Sequence, residues 1–430
     1  MAKEMRIGIA GLGNVGTGVV KIIQKHARDL EQRSGRKFKI VAVSARSKKK
    51  TRGVKLSAYE WLNDPLELVN NPEIDVIVEL IGGSSGIAYE LVVAALSAGK
   101  HVVTANKALL AHHGHELAAL AEKQGVSLCF EGSVAGGIPA IKALREGFAA
   151  NDVQSVRGIL NGTCNYILTE MRETGRDFKD VLKEAQAKGY AEADPSFDVD
   201  GIDTAHKLSI LTALAFGIKP DIKKVETRGI RNITAADIQH ATELGYKIKL
   251  LGLCRREGKK IIQSVEPCLV QEQSALGSVN GVLNAVHVQG DFVGTGWLVG
   301  RGAGEGPTAS AVVADLIDIA RGNQLPVFGI PAKALKTGAF ASADVLNAHF
   351  YMHMIVRDQP GVLAQIAAIL RDHKVSVEAV LQRGRDPGKP VSIVMTTHLV
   401  NQSDIRKAVE KIGKLTVTKG KPCVMRIEQA

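Results

Sequence analysis

The chain has 430 residues, 45% hydrophobic and 23% charged, with a formal net charge of +11 and only 4% aromatics. That length gives two to three domains at about 150 residues each, and so few stacking aromatics argue against a nucleic-acid partner despite the basic balance. No run reaches the ~18 apolar residues of a membrane span, and five scattered cysteines fit neither a disulfide framework nor a zinc site, so a reducing, cytoplasmic setting is expected.

"MRIGIAGLGNVGTGVVKII" (5–23) reads as an apolar strand, a glycine turn and an amphipathic helix, with no signal-type leader before it. Gly11, Gly13 and Gly16 form the G-x-G-x-x-G pattern in the strand–turn–helix setting that a dinucleotide requires. Gly11 permits the tight turn, Gly13 lets a pyrophosphate approach the backbone, and Gly16 allows close helix–strand packing. The helix start, at Asn14 and Val15, offers free amides and a positive dipole to the phosphates. These five positions are the cofactor-binding candidates, against the plain alternative of a structural glycine turn.

Further strands follow at "KIVAVSAR" (39–46), "DVIVELIG" (75–82), "HVVTANK" (101–107) and "VSLCFEGS" (126–133), with helical apolar spacing between them. Alternating βα units predict a Rossmann-type doubly wound parallel sheet, with ligands at the carboxyl ends of its strands. Lys107 and Glu131 fall on that edge. After the second strand, where an acid would hold the ribose of NAD, stand Ser44, Ala45 and Arg46, then Ser47, Lys48, Lys49, Lys50 and Arg52. An arginine fork there suits a 2′-phosphate, so NADP(H) is expected over NAD(H), with Arg46 the key residue. A solvated basic loop is the alternative.

Asn161-Gly162-Thr163 matches a glycosylation sequon, which is accidental without secretion. "GYAEADPSFDVDGIDTAHKL" (189–208) then sets Glu192, Asp194, Asp198, Asp200 and Asp203 ahead of Lys207. The spacing does not fit a calcium loop, which needs a central glycine and a closing glutamate. Two readings stay open: a solvated acidic loop before an apolar helix starting near Ala205, or a site built around a proton donor. Asp203 and Lys207, four apart, share one helix face if the helix starts by Asp203, and the acid would hold the lysine protonated.

From residue 349 the pattern becomes β, α, β, β, α, β, the ferredoxin-like order. "VRDQPGVLAQIAAIL" resembles the start of an ACT domain, a module that commonly binds amino acids. The turn Asp358, Gln359, Pro360 and Gly361 opens its first helix, whose amides can receive a carboxylate. A purely dimerising module is the alternative.

The fingerprint, "VVTANKALLA", "EGSVAGGIP", "GILNGTCNYILTEM" and the acidic stretch, in this order, resemble homoserine dehydrogenase over essentially the whole chain. The resemblance implies NAD(P)-dependent interconversion of L-aspartate 4-semialdehyde and L-homoserine, a step towards threonine and methionine. The form is expected to be monofunctional, with no aspartate kinase ahead of the dinucleotide fold. Positions matching substrate-binding and catalytic residues are Glu192, Asp203 and Lys207, with Lys107 near nicotinamide and substrate. Glu192 would pair with the substrate ammonium. Lys207, as an ammonium donor, would protonate the oxygen in the reductive direction.

The resemblance further implies a structural monovalent cation, sodium or potassium, at Glu131, Val134, Gly136 and Ile138. It implies that Gly302 and Gly304 approach the dinucleotide, and that the helix carrying Val312, Val313, Leu316 and Ile317 completes the first domain. The expected division is 1–132, completed by 305–340, for the cofactor; 133–304 for an α+β substrate and dimerisation domain; and 349–430 for a separable ACT domain. L-threonine is the expected effector, and a homodimer or homotetramer the expected assembly. Competing readings are another NADP-linked semialdehyde reductase and a non-catalytic NADP- and amino-acid sensor. A thioester-forming aldehyde dehydrogenase would need a reactive cysteine, and Cys164 has no base near it in sequence.

Overall fold

The computed structural model describes residues 4–382 and 390–429. Residues 1–3, 383–389 and 430, which fall in the expected first and last domains, lie outside the described residues. The first sheet is parallel: β1 (Glu4–Ala10), β2 (Lys37–Ser44), β3 (Glu60–Leu62), β4 (Val76–Glu79), β5 (His101–Thr104) and β6 (Leu128–Cys129). Its strand order is β3-β2-β1-β4-β5-β6. The order reverses between β1 and β4, the crevice where this architecture binds dinucleotides.

β3 was not expected. It has three residues on the sheet's edge, too few for an alternation to show. β5 stops at Thr104, and Lys107 is the first residue of the helix Lys107–Gln124, which Asn106 caps through its side chain. β1, the helix Asn14–Lys25 and the helix Glu305–Arg321 share one apolar core through Ile7, Ile9, Val19, Val20, Val312, Val313 and Leu316. Ile317 packs against that core from its margin. Gly18 lets the two helices touch, since a Cβ there would stand 2.8 Å from the Glu305 carbonyl oxygen.

The second sheet is mainly antiparallel and, among the described residues, has eleven strands. They are β7 (Val153–Ile159), β8 (Glu226–Thr227), β9 (Tyr246–Glu257), β10 (Lys260–Gln271), β11 (Leu283–Gly290) and β12 (Gly294–Arg301), then β13 (Asn347–Arg357), β14 (Val377–Gln382), β15 (Pro390–Thr397), β16 (Val400–Asn401) and β17 (Thr418–Glu428). The order runs β12-β11-β7-β9-β10-β17-β13-β15-β14, with β8 beside β10 and β16 beside β13. Strands β13 to β17 with the helices Val362–Asp372 and Gln402–Gly413 form the expected ferredoxin-like unit.

The expectation of a separable last unit needs correction. β17 pairs in parallel with β10, Cys268 to Val270 against Arg426 to Glu428, so one sheet runs through both units. Tyr351, Val394, Met425 and Ile427 lie in the same core as the substrate region. Glu266 is buried between Arg228 at 2.7 Å and Arg426 at 2.9 Å, and Glu428 reaches Arg157 at 3.0 Å. Cutting at residue 349 would leave Glu266 without its buried Arg426 partner, a costly loss.

Candidate active site

The site is built around the start of the helix Ile202–Phe216. Gly201, at φ 85°, caps it in the left-handed conformation, and a Cβ there would meet Val265 and Thr227 at about 3 Å. The helix therefore begins three residues before Ala205, and Asp203 and Lys207 fall on successive turns of one face. Asp203 Oδ2 accepts from Lys207 Nζ at 2.7 Å, and Asp203 Oδ1 faces Lys107 Nζ at 3.1 Å. Lys207 Nζ also donates to the Leu160 carbonyl at 2.7 Å. Lys107 comes from the helix that follows β5 and Lys207 from the helix Ile202–Phe216, so one carboxylate joins the two. Asp203 and Lys207 are buried, whereas Lys107 keeps 32% of its side-chain surface exposed.

Asn161 completes the arrangement. Its Nδ2 donates to Asp203 Oδ2 at 2.8 Å and to Asp198 Oδ1 at 2.7 Å, while its Oδ1 caps the next helix at the Cys164 amide. The sequence offered Asn161 only as a sequon and Asp198 as a loop and polar-network residue, and it is in such a network that Asp198 meets Asn161. The signal that could have found Asn161 is its place as a capping residue before the run "GTCNYIL". The Leu160 carbonyl, being main chain, left none.

The charges follow from this geometry. Burial alone would raise the Asp203 pKa, but Lys207 and Lys107 outweigh it and the net shift is downward. Attraction to Asp203 leads the causes that raise the Lys107 pKa, with smaller contributions from Asp198 and Glu192. Burial, then Asp203, pushes Asp198 up. His206 is lowered to about 4, first by burial and then by His112 and Lys107, so it is neutral near pH 7. Phe197 packs edge-on to His206 and lies 5.5 Å from Lys107 Nζ.

Glu192 is exposed on the loop beside this group, where its charge reaches Lys107. Asp194 and Asp200 serve the loop itself: Asp194 accepts from the Ser196 amide, and Asp200 pairs with Arg231. The Cys164 thiol is buried, donates to the Asp198 carbonyl, and burial pushes its pKa well up. That is the opposite of an activated nucleophile.

On the cofactor edge, Gly11 adopts φ 100° and its amide bonds the Ser44 carbonyl at 2.8 Å. A Cβ on Gly16 would stand 2.0 Å from the Gly11 carbonyl oxygen, whereas one on Gly13 would meet nothing within 4 Å. Gly16 is thus fixed by packing and Gly13 leaves open space ahead of the helix amides at Asn14 and Val15, which fits a pyrophosphate. Arg46 is exposed just beyond β2. Arg52 is not part of that open charge. It donates to the Leu12, Lys50 and Ser47 carbonyls and lies over Trp61, bracing the basic loop against the glycine turn.

Gly302 and Gly304 have packing reasons of their own. A Cβ on Gly302 would collide with the Asn284 side chain at 2.0 Å, and Gly304 has φ 122° before the helix Glu305–Arg321. The Glu131 carboxylate accepts the Ile141 and Lys142 amides at 3.0 and 2.8 Å, and burial followed by Asp315 raises it to about 7. It acts as a helix cap, so the carboxylate is already engaged by main-chain amides. The buried turn at Val134, Ala135 (φ 55°) and Gly136 (φ 46°) bends the backbone there, and the Ile138 carbonyl accepts from the Ala140 amide at 2.7 Å. Among the described residues, no helix is long and apolar enough to cross a membrane.

Known families match this arrangement in three pieces. The model for the homoserine dehydrogenase NAD-binding domain covers residues 11–131, that for homoserine dehydrogenase covers 139–317, and that for the ACT domain covers 354–416. The homoserine dehydrogenase of Neisseria gonorrhoeae is 45% identical over 99% of both chains. The chain belongs to the homoserine dehydrogenase family. The crystal structure of a homoserine dehydrogenase from Thiobacillus denitrificans superposes with a TM-score of 0.94 at 42% identity, covering 99% of both chains. A hyperthermophilic archaeal homoserine dehydrogenase in complex with NADPH matches 73% of this chain and 97% of its own, with TM-score 0.63 and 29% identity. The enzyme is therefore an oxidoreductase with a dinucleotide fold and a terminal ACT domain.

Proposed function

We propose that the enzyme interconverts L-aspartate 4-semialdehyde and L-homoserine with NADP(H) preferred over NAD(H), and that Lys207 moves the proton. The carrying observation is Asp203 held between Lys207 at 2.7 Å and Lys107 at 3.1 Å. A lysine ammonium has three donors. Two of those on Lys207 are spent on Leu160 and Asp203, leaving the third for a substrate oxygen. A bound nicotinamide dinucleotide supplies the hydride to the aldehyde carbon, or takes it back from the alcohol. In reduction Lys207 gives its proton to the carbonyl oxygen as that oxygen becomes alkoxide-like, and in oxidation the neutral amine takes the hydroxyl proton. Lys107 orients the same oxygen from the cofactor side, and Glu192 meets the substrate ammonium.

Gly11, Gly13, Asn14, Val15 and Gly16 would hold the pyrophosphate, Arg46 a 2′-phosphate, and Gly302 and Gly304 the far side of the dinucleotide. The carbonyls of Glu131, Val134, Gly136 and Ile138 would hold a structural monovalent cation. L-Threonine would bind between ACT domains of a homodimer or homotetramer, at Asp358, Gln359, Pro360 and Gly361, and favour a less active arrangement. Undiminished activity in millimolar L-threonine would remove that effector.

The test of the chemistry follows reduced cofactor with L-homoserine and NADP⁺ or NAD⁺. Lys207→Met should lower kcat at least ~10²-fold with cofactor binding little changed. Near-normal turnover would remove Lys207 from the mechanism. Arg46→Asp should cost NADP⁺ at least ~10-fold more in kcat/KM than NAD⁺, because it repels the 2′-phosphate and offers the ribose a carboxylate. Equal losses would mean that Arg46 only adds to a general basic field.

A further inference from the structure

β4 ends on Glu79, whose side chain is 0% exposed. Among the described residues no lysine, arginine or histidine forms an ion pair with it. Three donors hold it instead. Oε1 accepts the amides of Ile81 at 2.7 Å and Gly82 at 3.0 Å, and Oε2 accepts Thr104 Oγ1 at 2.6 Å. Thr104 Oγ1 in turn accepts the Asn106 amide at 2.9 Å, and Asn106 Nδ2 donates to the Gly83 carbonyl at 2.7 Å. The bonds close into a ring: Glu79, the loop Ile81 to Gly83, Asn106, Thr104, and back to Glu79.

Burying a carboxylate without a countercharge is unfavourable, so its retention at this place asks for a reason. The ring's two sides are the ends of β4 and β5, next to the crevice where the strand order reverses. Gly82 and Gly83, at φ 87° and 91°, need fixing because glycine leaves their loop free to take other shapes. On the other side, Asn106 also accepts the Leu109 amide at 3.1 Å, and so sets the first turn of the helix that begins at Lys107.

We propose that Glu79 is a positioning residue for hydride transfer, locking the glycine loop and Lys107 into one rigid wall of the site. This rests on the assignment of Lys107 to the site made above. Glu79 touches neither substrate nor the reacting atoms. A glutamine in its place would present an amide donor where Oε2 accepts, leaving the buried Thr104 hydroxyl without its acceptor. The loop and the helix start would then be tied only through Asn106 and Gly83, a looser wall, and misalignment acts on the transition state more than on binding.

The test uses the full chain in the homoserine oxidation assay. Glu79→Gln should lower kcat and kcat/KM by the same factor, about ten-fold or more, with KM values for both substrates changed less than about three-fold. Thr104→Val should reproduce that split, and Thr104→Ser, which restores a hydroxyl, should recover turnover relative to it. Asp75→Asn is the control for plain destabilisation. Asp75, just before β4 and away from Glu79, ties Arg6 at 2.9 Å, and its loss should lower the melting temperature without the kcat effect. Turnover within about two-fold of the parent in both Glu79→Gln and Thr104→Val would overturn the inference. So would an equal kcat loss in Asp75→Asn. Lys107→Met separates the two layers: if it loses turnover while Glu79→Gln keeps it, the positioning role alone fails. If Lys107→Met keeps turnover, the assignment beneath it fails and takes this inference with it.

Discussion

Lys107 and Lys249 stand in different regions, Lys107 partly exposed beside Asp203 and Lys249 buried in the middle of β9. Lys107 faces Asp203 at 3.1 Å, and that attraction leads the causes raising its pKa. Lys249 is 1% exposed and, among the described residues, donates to neutral oxygens alone: Asn165 Oδ1 at 3.0 Å, the Val279 carbonyl at 2.5 Å and Asn280 Oδ1 at 3.4 Å. Burial, with Arg172 and Lys247 adding to it, lowers its pKa to about 7. Hydrogen-bond acceptors thus suffice to seat a buried lysine, yet a carboxylate is what keeps its proton in place. The active region uses one buried anion to secure two cations, and the second sheet stitches a helix to a loop with a lysine that sheds its charge.

The comparison breaks first at Asp203. Asp203→Asn would leave Lys107 and Lys207 together without their anion, and should cost about 3 kcal/mol in urea unfolding near pH 7. The sign with pH is definite. The Asp203 pKa is depressed in the fold, so its stabilising contribution is present above the ordinary carboxylate range and fades as pH falls through the lowered value. The gap between parent and variant should therefore close in strong acid. Adding Lys107→Met to Asp203→Asn should recover part of the loss, since one unpaired cation goes with it. A loss below about 0.5 kcal/mol would mean that the group is solvated and not a true clamp.

A smaller effect sharpens the other side. Lys249 has a folded pKa below its unfolded one, so its charge destabilises the fold fully below about pH 7, and the cost is relieved as pH rises towards 10.5. Stability of the parent relative to Lys249→Met should rise over that interval by at most about 1.4 kcal/mol per pH unit. A flat difference would place Lys249 among ordinary charged lysines.

Much of the first region was legible because its determinants are local. The glycine pattern, the helix after it and the βα alternation each depend on neighbours in sequence, and Gly11 and Gly16 take the turn and packing places that spacing gave them. Asp203 and Lys207 were legible as a pair for the same reason, being one helical turn apart. What was hidden depends on distant partners. Asn161 reaches Asp203 across 42 positions, and Arg52 braces Leu12 across 40. β17 joins β10 through backbone pairing that no alternation pattern encodes, which is why the last unit read as separable. Glu131 entered the cation site through the resemblance alone, and the hold of its carboxylate on the Ile141 and Lys142 amides, ten and eleven positions on, left no local signal.

Direct observation of the two protons decides between these accounts of burial. Lysine labelled with ¹³C at Cε would be titrated in the folded enzyme from about pH 6 to about pH 11. Lys107→Met and Lys249→Met would assign the two resonances. Lys249 should lose its proton near pH 7, while Lys107 should keep its own beyond the ordinary lysine value of 10.5 and fall back towards it in Asp203→Asn. A Lys107 that titrates at or below 10.5 in the parent, or that is indifferent to Asp203→Asn, would contradict the claim that this carboxylate holds the active-site lysine charged.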